Sequence, residues 1–391
     1  MISVAKALAI LKAKVTPGTT SERIPVEDSL GRILFEAILA PIPLPPFRQS
    51  VMDGYALHLH DSLEYTVVGE VKTGDSHPYV LQPGEAVRIF TGAWVPDTAN
   101  AVMMQEKVNV QENMIVLSEN PSEGNQIREI GQQIKKGALA LSKGMTLNPS
   151  AIGLLKSFGI TEVSVTKTPK VSILVTGNEL VSAGNALPPG KIYESNSTLM
   201  AAALQQKGMQ PHKIRQVPDS IEATKAALAE LLETSDVILV SGGISVGDYD
   251  FVGKALTHLG VQEHFYKVAQ KPGKPLYFGS KDQTYVLGLP GNPASTLTCL
   301  YVYGYSLIDQ LCGRNQPGLT SLELPTAMEI KNPFGRALFL KALVEGNRVT
   351  ELTQQNSSMV LSFTEANALI YIPENCTKVT SGSLVKIYLL P

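Results

Sequence analysis

Between residues 169 and 311, short apolar runs alternate with longer stretches whose apolar positions recur at helical spacing. Val171-Ser172-Ile173-Leu174-Val175, Asp236-Val237-Ile238-Leu239-Val240 and Thr284-Tyr285-Val286-Leu287 are too short for stable helices, and each runs into a glycine-bearing loop. Helices are predicted over 197–207, 221–233, 251–259 and 293–311. Strands that alternate with helices predict a parallel, doubly wound α/β sheet.

Elsewhere the pattern is one of strands. Residues 65–71, 86–90, 101–105, 107–110 and 115–118 are valine-rich and separated by turns, which predicts a β-rich domain. A short helix is expected over 149–159, with Pro149 in its first turn and Gly159 just past its end. Lys6, Lys12 and Lys14 interrupt the apolar residues of 1–15, which reads as an amphipathic first helix rather than a signal core. Pro41, Pro43, Pro45 and Pro46 bar helix and central strand, so 41–46 is an extended connector. Beyond Gln316, strand-length alternation continues to the end. The fold class expected is multi-domain α/β plus β. Residues 1–44 with 139–168 form a linker or dimerisation domain, 45–138 a β-rich domain, 169–318 the α/β domain, and 319–391 a small β-barrel-like domain.

A chain of 391 residues exceeds what one core ordinarily serves, in keeping with several domains. Its net charge of -2, with no basic block, argues against nucleic acid as the main partner and leaves room for a local cationic pocket. Cys299, Cys312 and Cys376 have no ligand spacing and fit buried thiols in a reducing, cytoplasmic compartment better than zinc or disulfides. No run reaches the roughly 20 apolar residues that span a bilayer, so no membrane association is expected.

In open α/β sheets, ligands bind outside the carboxyl ends of the strands, where all three glycine loops fall. One such glycine is an ordinary turn; three on one edge indicate a site without naming its ligand. In the loop 289–295, Pro293 opens a helix whose free amides attract anions, and the loop 241–247 offers hydroxyls and amides in the same manner. Glu179 follows the first loop, and Asp248 and Asp250 the second; carboxylates beside phosphates suit magnesium. In Lys271-Pro272-Gly273-Lys274-Pro275 the prolines would hold two lysines in an extended stretch, where they would neutralise an oxyanion. A solvated surface is the plain alternative for these charges. Asp53-Gly54 and Thr91-Gly92 read as β-turns.

In order and spacing, these residues resemble the molybdopterin molybdenumtransferase family, which also includes the C-terminal part of gephyrin. The resemblance runs through Gly31-Arg32, Ser50 to Ala56, Thr91 to Ala93, Asn125 to Arg128, Thr176 to Leu180, Tyr193 to Asn196, Ser241 to Gly247, Lys271 to Pro275, Gly288 to Pro293 and Ala366 to Leu369. It implies an elongated homodimer of four-domain chains with active sites shared between subunits. It also implies a reaction in which adenylylated molybdopterin and molybdate yield AMP and a pterin whose dithiolene sulfurs carry molybdenum. Molybdopterin adenylyltransferase and acceptor molybdoenzymes are the implied partners.

Carried over position by position, Glu179, Asp219 and Asp250 match the family's active-site acids and would hold Mg2+. Asp53 and Thr91 match the contribution of the second subunit, and Lys267 and Lys271 match catalytic basic positions. Thr176, Gly177, Ser241, Gly242, Gly243, Ser245 and Gly247 would hold the pterin phosphate and nucleotide. Ser195, Pro290, Gly291, Asn292 and Pro293 extend that substrate surface, while Lys274, Ser295, Lys341 and Ser357 fall toward the oxyanion. Three positions depart from the family pattern. Gln133 replaces an acid, Lys341 keeps an arginine's charge without its bidentate fork, and Asn356 replaces a glycine. Two other readings share these residues. A molybdopterin adenylyltransferase resembles the α/β domain standing alone, and a non-catalytic carrier or scaffold would bind the adenylylated pterin without cleaving it.

Overall fold

The computed structural model describes residues 1–75, 79–244 and 251–391. The chain forms two compact units: Met1–Phe35, Gly144–Asn148 and Val163–Pro391 make the first, Glu36–Lys143 and Pro149–Glu162 the second.

The first unit is built on strands β1 (Val171–Thr176), β2 (Ile214–Val217), β3 (Val237–Ser241), β4 (Gln262–Tyr266), β5 (Tyr277–Lys281) and β6 (Thr284–Leu289). They lie side by side in the order β2-β1-β3-β6-β5-β4. The first four in that order are parallel. The three predicted strands are parallel as expected, and two further strands extend one edge, β5 pairing antiparallel with both β6 and β4. Only Asp282 and Gln283 separate β5 from β6, and so short a link makes a hairpin but cannot make a parallel crossover.

Alternate residues of these strands face opposite sides. Val171, Ile173, Val175, Val237 and Leu239 share a core with Val4, Ala7 and Leu11 of α1 (Val4–Lys14) and with Met200, Ala203 and Leu204 of α2 (Asn196–Gln206). Leu174, Ile238 and Val240 meet Leu228 and Leu231 of α3 (Ile221–Thr234) and Val252 and Leu256 of α4 (Phe251–His258). Burial on both faces is why these strands read as unbroken apolar runs. The hydroxyl of Ser3 caps α1 by accepting from the Lys6 amide, and Lys12 and Lys14 lie at its C-terminal end, where cations are favoured. The single helix predicted over 293–311 is instead α5 (Pro293–Cys299), a π-helical turn over Leu300–Gly304, and α6 (Tyr305–Leu311).

A second sheet of this unit centres on β7 (Ala337–Glu345), which pairs with Ala368–Ile372 and Arg348–Glu351. Gln270–Lys271 forms its other edge, parallel to β7 with Lys271 opposite Leu338. The first lysine of the Lys-Pro-Gly-Lys-Pro segment therefore belongs to the C-terminal sheet.

The second unit is β-rich as expected, with a six-stranded sheet in the order Ala101–Met104, Gly54–Leu57, Glu85–Ile89, Glu64–Val71, Met114–Leu117, Val108–Gln111. Gly54 is not a turn residue but the first residue of a strand. A Cβ there would stand 1.9 Å from the Met103 carbonyl oxygen, so only glycine admits the neighbouring strand. Among the described residues, no helix is long and apolar enough to cross a membrane.

Leu239 is fully buried in the middle of β3. Leu239→Ala is expected to cost about 2–5 kcal/mol, read as a lower urea or thermal midpoint. An unmoved midpoint would mean this sheet is not what limits unfolding.

Candidate functional site

A cavity of about 590 Å³ opens where β1, β3 and β6 end. Val175 and Thr176, Ser241 and Gly242, and Pro290 and Gly291 form its floor, one pair from each strand end. The order β2-β1-β3 reverses the direction of winding between β1 and β3, and a crevice forms outside the carboxyl ends at such a point.

The floor depends on close backbone approach. Gly242 has φ +91°, and a Cβ on it would lie 2.2 Å from the Thr176 carbonyl oxygen. Asn196, at the start of α2, joins two of the loops by donating from Nδ2 to Ser241 Oγ (2.9 Å) and to the Gly291 carbonyl (2.7 Å). Its Oδ1 is buried and has no hydrogen-bond partner among the described residues. The first turn of α2 is closed from within the chain, since Glu194 accepts from the Ser197 amide at 2.9 Å and from the Ser197 hydroxyl. Ser195, the N-cap, makes no side-chain cap bond and lines the cavity.

Of the predicted acids, Glu179 is on the cavity wall. Asp219 is held beside it, accepting from the Thr176 hydroxyl and from the Asn178 amide (3.2 Å), while its own amide donates to Asn178 Oδ1 (3.1 Å). Asp250, with Ser245 and Gly247, lies outside the described residues. Among the described residues, no group of three His, Cys, Asp or Glu side chains is placed to hold a metal.

The predicted cations divide. Lys271 and Lys274 line the cavity, with Lys271 Nζ 3.9 Å from the centre of the Phe334 ring. Their segment is not extended: the Lys271–Pro272 bond is cis and Gly273 has φ +85°. Lys267 is off the wall, in a left-handed conformation with its Nζ 4.7 Å from the Tyr266 ring centre. Lys341 is also off the wall. It is 3% exposed, and its ammonium donates to the carbonyls of Gln354 (2.7 Å) and Met359 (2.8 Å). Burial holds its pKa below the usual lysine value. It fastens the 354–359 loop, which carries Asn356, Ser357 and Ser358 to the cavity wall.

Ser357 spans to the start of α5. Its hydroxyl accepts from Asn292 Nδ2 (3.0 Å), and its carbonyl accepts from the Ser295 amide (3.2 Å). One helix amide expected to be free for an anion is thus already engaged. Pro293 and Ser295 line the cavity, the latter only 2% exposed. Gly177 and Gly243 adjoin the floor without lining it. A Cβ on Gly243 would meet Thr176 and Val252 side chains at 2.8 Å.

Asn196, Gln270, Arg336 and Asn356 also line the wall, and no motif in the sequence marks them as doing so. Asn196 lay inside a motif already noted, but Arg336 had no local signal. It follows Gly335 in an unremarkable loop, and only the pairing of β7 brings it to the site.

Family models match the chain in three consecutive parts: the MoeA N-terminal region (domain I and II) at residues 2–159, a probable molybdopterin binding domain at 172–310, and the MoeA C-terminal region (domain IV) at 323–390. A molybdopterin molybdenumtransferase of Haemophilus influenzae is 34% identical over 94% of both chains. The chain belongs to the molybdopterin molybdenumtransferase family. Another member, from Staphylococcus epidermidis, is 30% identical over 94% of this chain and 90% of its own. The solved structure of a molybdopterin biosynthesis MoeA protein from Pyrococcus horikoshii superposes over the full length of both chains with a TM-score of 0.87 at 27% identity. In this family member, the molybdopterin-binding match coincides with the sheet that supplies the cavity floor.

In the second unit, Asp53 Oδ1 accepts from both the amide and the hydroxyl of Thr91, each at 2.7 Å. The Thr91 hydroxyl, then its amide, hold the Asp53 pKa below the usual carboxylate value, with Arg88 adding a smaller pull. A depressed pKa stabilises the fold above the unfolded-state value, and that contribution fades as pH falls through the folded-state value. Thr91→Val removes the hydroxyl and keeps the amide. Asp53 is then expected to titrate at higher pH than in the parent chain, followed by carboxyl-carbon NMR. An unchanged titration would remove the hydroxyl as the cause.

Proposed function

We propose that the protein inserts molybdate into adenylylated molybdopterin, releasing AMP and leaving molybdenum on the pterin dithiolene. The observation that carries this reading is the convergence of three strand ends with Lys271, Lys274 and Arg336 on one cavity, in a chain that matches its relatives over nearly their whole length. The strand-end loops suit a phosphorylated pterin and nucleotide. The three cations suit an oxyanion and the charge that develops when a phosphoanhydride breaks. Ser357 and Ser295 add polar groups to the wall.

Glu179, on the cavity wall, fits magnesium, which takes one or two carboxylates plus substrate oxygens. Bound there, the ion would neutralise phosphate charge. Glu179 faces the cavity, while Asp219 is oriented by Thr176 and Asn178, so the two acids have separate tasks: Glu179 contacts the substrate complex, and Asp219 fixes the turn after β1. The reading extends to a cytoplasmic homodimer in which Asp53 and Thr91 serve the partner's site, and to exchange of substrate and product with a molybdopterin adenylyltransferase and acceptor molybdoenzymes. The family resemblance supports this part.

AMP release from adenylylated molybdopterin, with magnesium and with or without molybdate, tests the central claim. Molybdate-dependent release is expected, and Glu179→Gln is expected to slow it about 100-fold or more. Tight binding without release would establish a carrier instead. For the shared site, chains carrying Asp53→Asn and Glu179→Gln are each expected to be nearly inactive alone and to regain activity when mixed under subunit exchange. Absence of any recovery would confine each site to one chain.

A further inference from the structure

The turn that carries the two cavity lysines is anchored from beneath by residues with no place in the reading above. Gln270 is fully buried. Its Nε2 donates to the carbonyls of Pro272 (3.1 Å) and Gly273 (3.2 Å), and it lies 3.4 Å from Cys299 Sγ. Its Oε1 accepts from the hydroxyl of Tyr303. The two carbonyls belong to the residues between Lys271 and Lys274, and buried carbonyls need a donor from somewhere. Only the amino end of a carboxamide can face them, since the reversed side chain would set oxygen against oxygen. The two carbonyls select that orientation, and the Tyr303 hydroxyl, donating to the other end, holds it.

The seat is tight as well as polar. Gly273 has φ +85°, and a Cβ there would stand 2.3 Å from Cys299 Sγ and 2.9 Å from Gln270 Nε2. Cys299 ends α5 and packs against Gly273, while Tyr303, in the π-helical turn that follows, reaches Gln270. Helical irregularities of this kind often accompany functional sites. Burial pushes the Cys299 thiol up to about 12 and the Tyr303 hydroxyl well above its ordinary value, so both stay protonated near neutral pH. Beyond the turn, the Lys274 carbonyl accepts from the amides of Val268 and Leu276, each at 3.0 Å.

We propose that Gln270, held in one orientation by Tyr303, is the positioning residue that sets Lys271 and Lys274 for the oxyanion. The link to the oxyanion rests on the proposed molybdenum insertion; the anchoring of the turn does not. A device of this kind acts through the backbone between the lysines, so loss of the Tyr303 hydroxyl, which is off the cavity wall, weakens oxyanion binding without removing a wall group.

The test uses the full-length chain with Tyr303→Phe, which deletes only the hydroxyl. Hydrogen exchange in peptides containing Val268 and Leu276 is expected to quicken about tenfold, with β1 unchanged. Half-saturating molybdate for AMP release is expected to rise about five- to tenfold, while kcat and half-saturation by the adenylylated pterin stay within about twofold. Gln270→Met, which also alters the cavity wall, is expected to quicken the same exchange. Gly273→Ala is expected to loosen the turn independently, and adding Cys299→Ala to recover part of the loss by removing the sulfur in the way. Unchanged exchange in both Tyr303→Phe and Gln270→Met overturns the anchor. Faster exchange with an unmoved molybdate requirement overturns the link to the oxyanion. If the parent chain shows no molybdate-dependent release, the proposed reaction fails, and the exchange results alone decide the anchor.

Discussion

The backbone of Gly242 passes so close to the end of β1 that no side chain fits between it and the Thr176 carbonyl. The cavity floor follows from that approach. It keeps the ends of β1 and β3 level, so that Ser241 can receive Asn196, and Asn196 can reach across to Gly291 after β6. A larger residue at 242 would separate the strand ends, and the three loops would no longer share one crevice. The two-sided core beneath supplies rigidity: both faces of β1 and β3 are filled, leaving their carboxyl ends as the place where polar groups gather.

Above this floor, polar groups are spent largely on one another. Asp219 is engaged by Thr176 and Asn178, Glu194 closes the start of α2, and Ser357 occupies the Ser295 amide. What remains facing the cavity is a smaller set: Glu179, Lys271, Lys274 and Arg336 supply charge, and the strand-end loops supply backbone. This division separates groups that meet a ligand from groups that hold them still, a distinction on which preorganised electrostatic catalysis depends. Lys341 illustrates the second class. Its charge is turned inward onto two carbonyls, so it fastens a loop rather than meeting the substrate.

The pairing of Gln270–Lys271 with β7 has a further consequence. It makes the lysine segment common to the α/β sheet region and the C-terminal sheet, and it delivers Arg336, one residue before β7, to the same wall. The C-terminal region thereby contributes charge and the Ser357 loop, which accounts for a site that the α/β part could not complete from its own residues.

Much of the fold was legible in residue order. Apolar runs ending in glycine located β1, β3 and β6, and helical spacing located α2, α3 and α4, because a strand buried on both faces and an amphipathic helix each leave a local periodic signature. Glu179 was legible because it follows the first of those strand ends, and Lys271 and Lys274 because prolines and a glycine set them apart. The antiparallel edge, the π-helical turn, the inward turn of Lys341 and the wall positions of Arg336 and Gln270 were not. Each depends on partners far away in the chain: strand direction on what lies alongside, and side-chain direction on which carbonyls need a donor. Gly54 shows the boundary most plainly. By itself the sequence determined that a glycine stands there, and only the tertiary structure decided that it serves the approach of the Ala101–Met104 strand rather than a turn, because the Met103 carbonyl leaves no room for a Cβ.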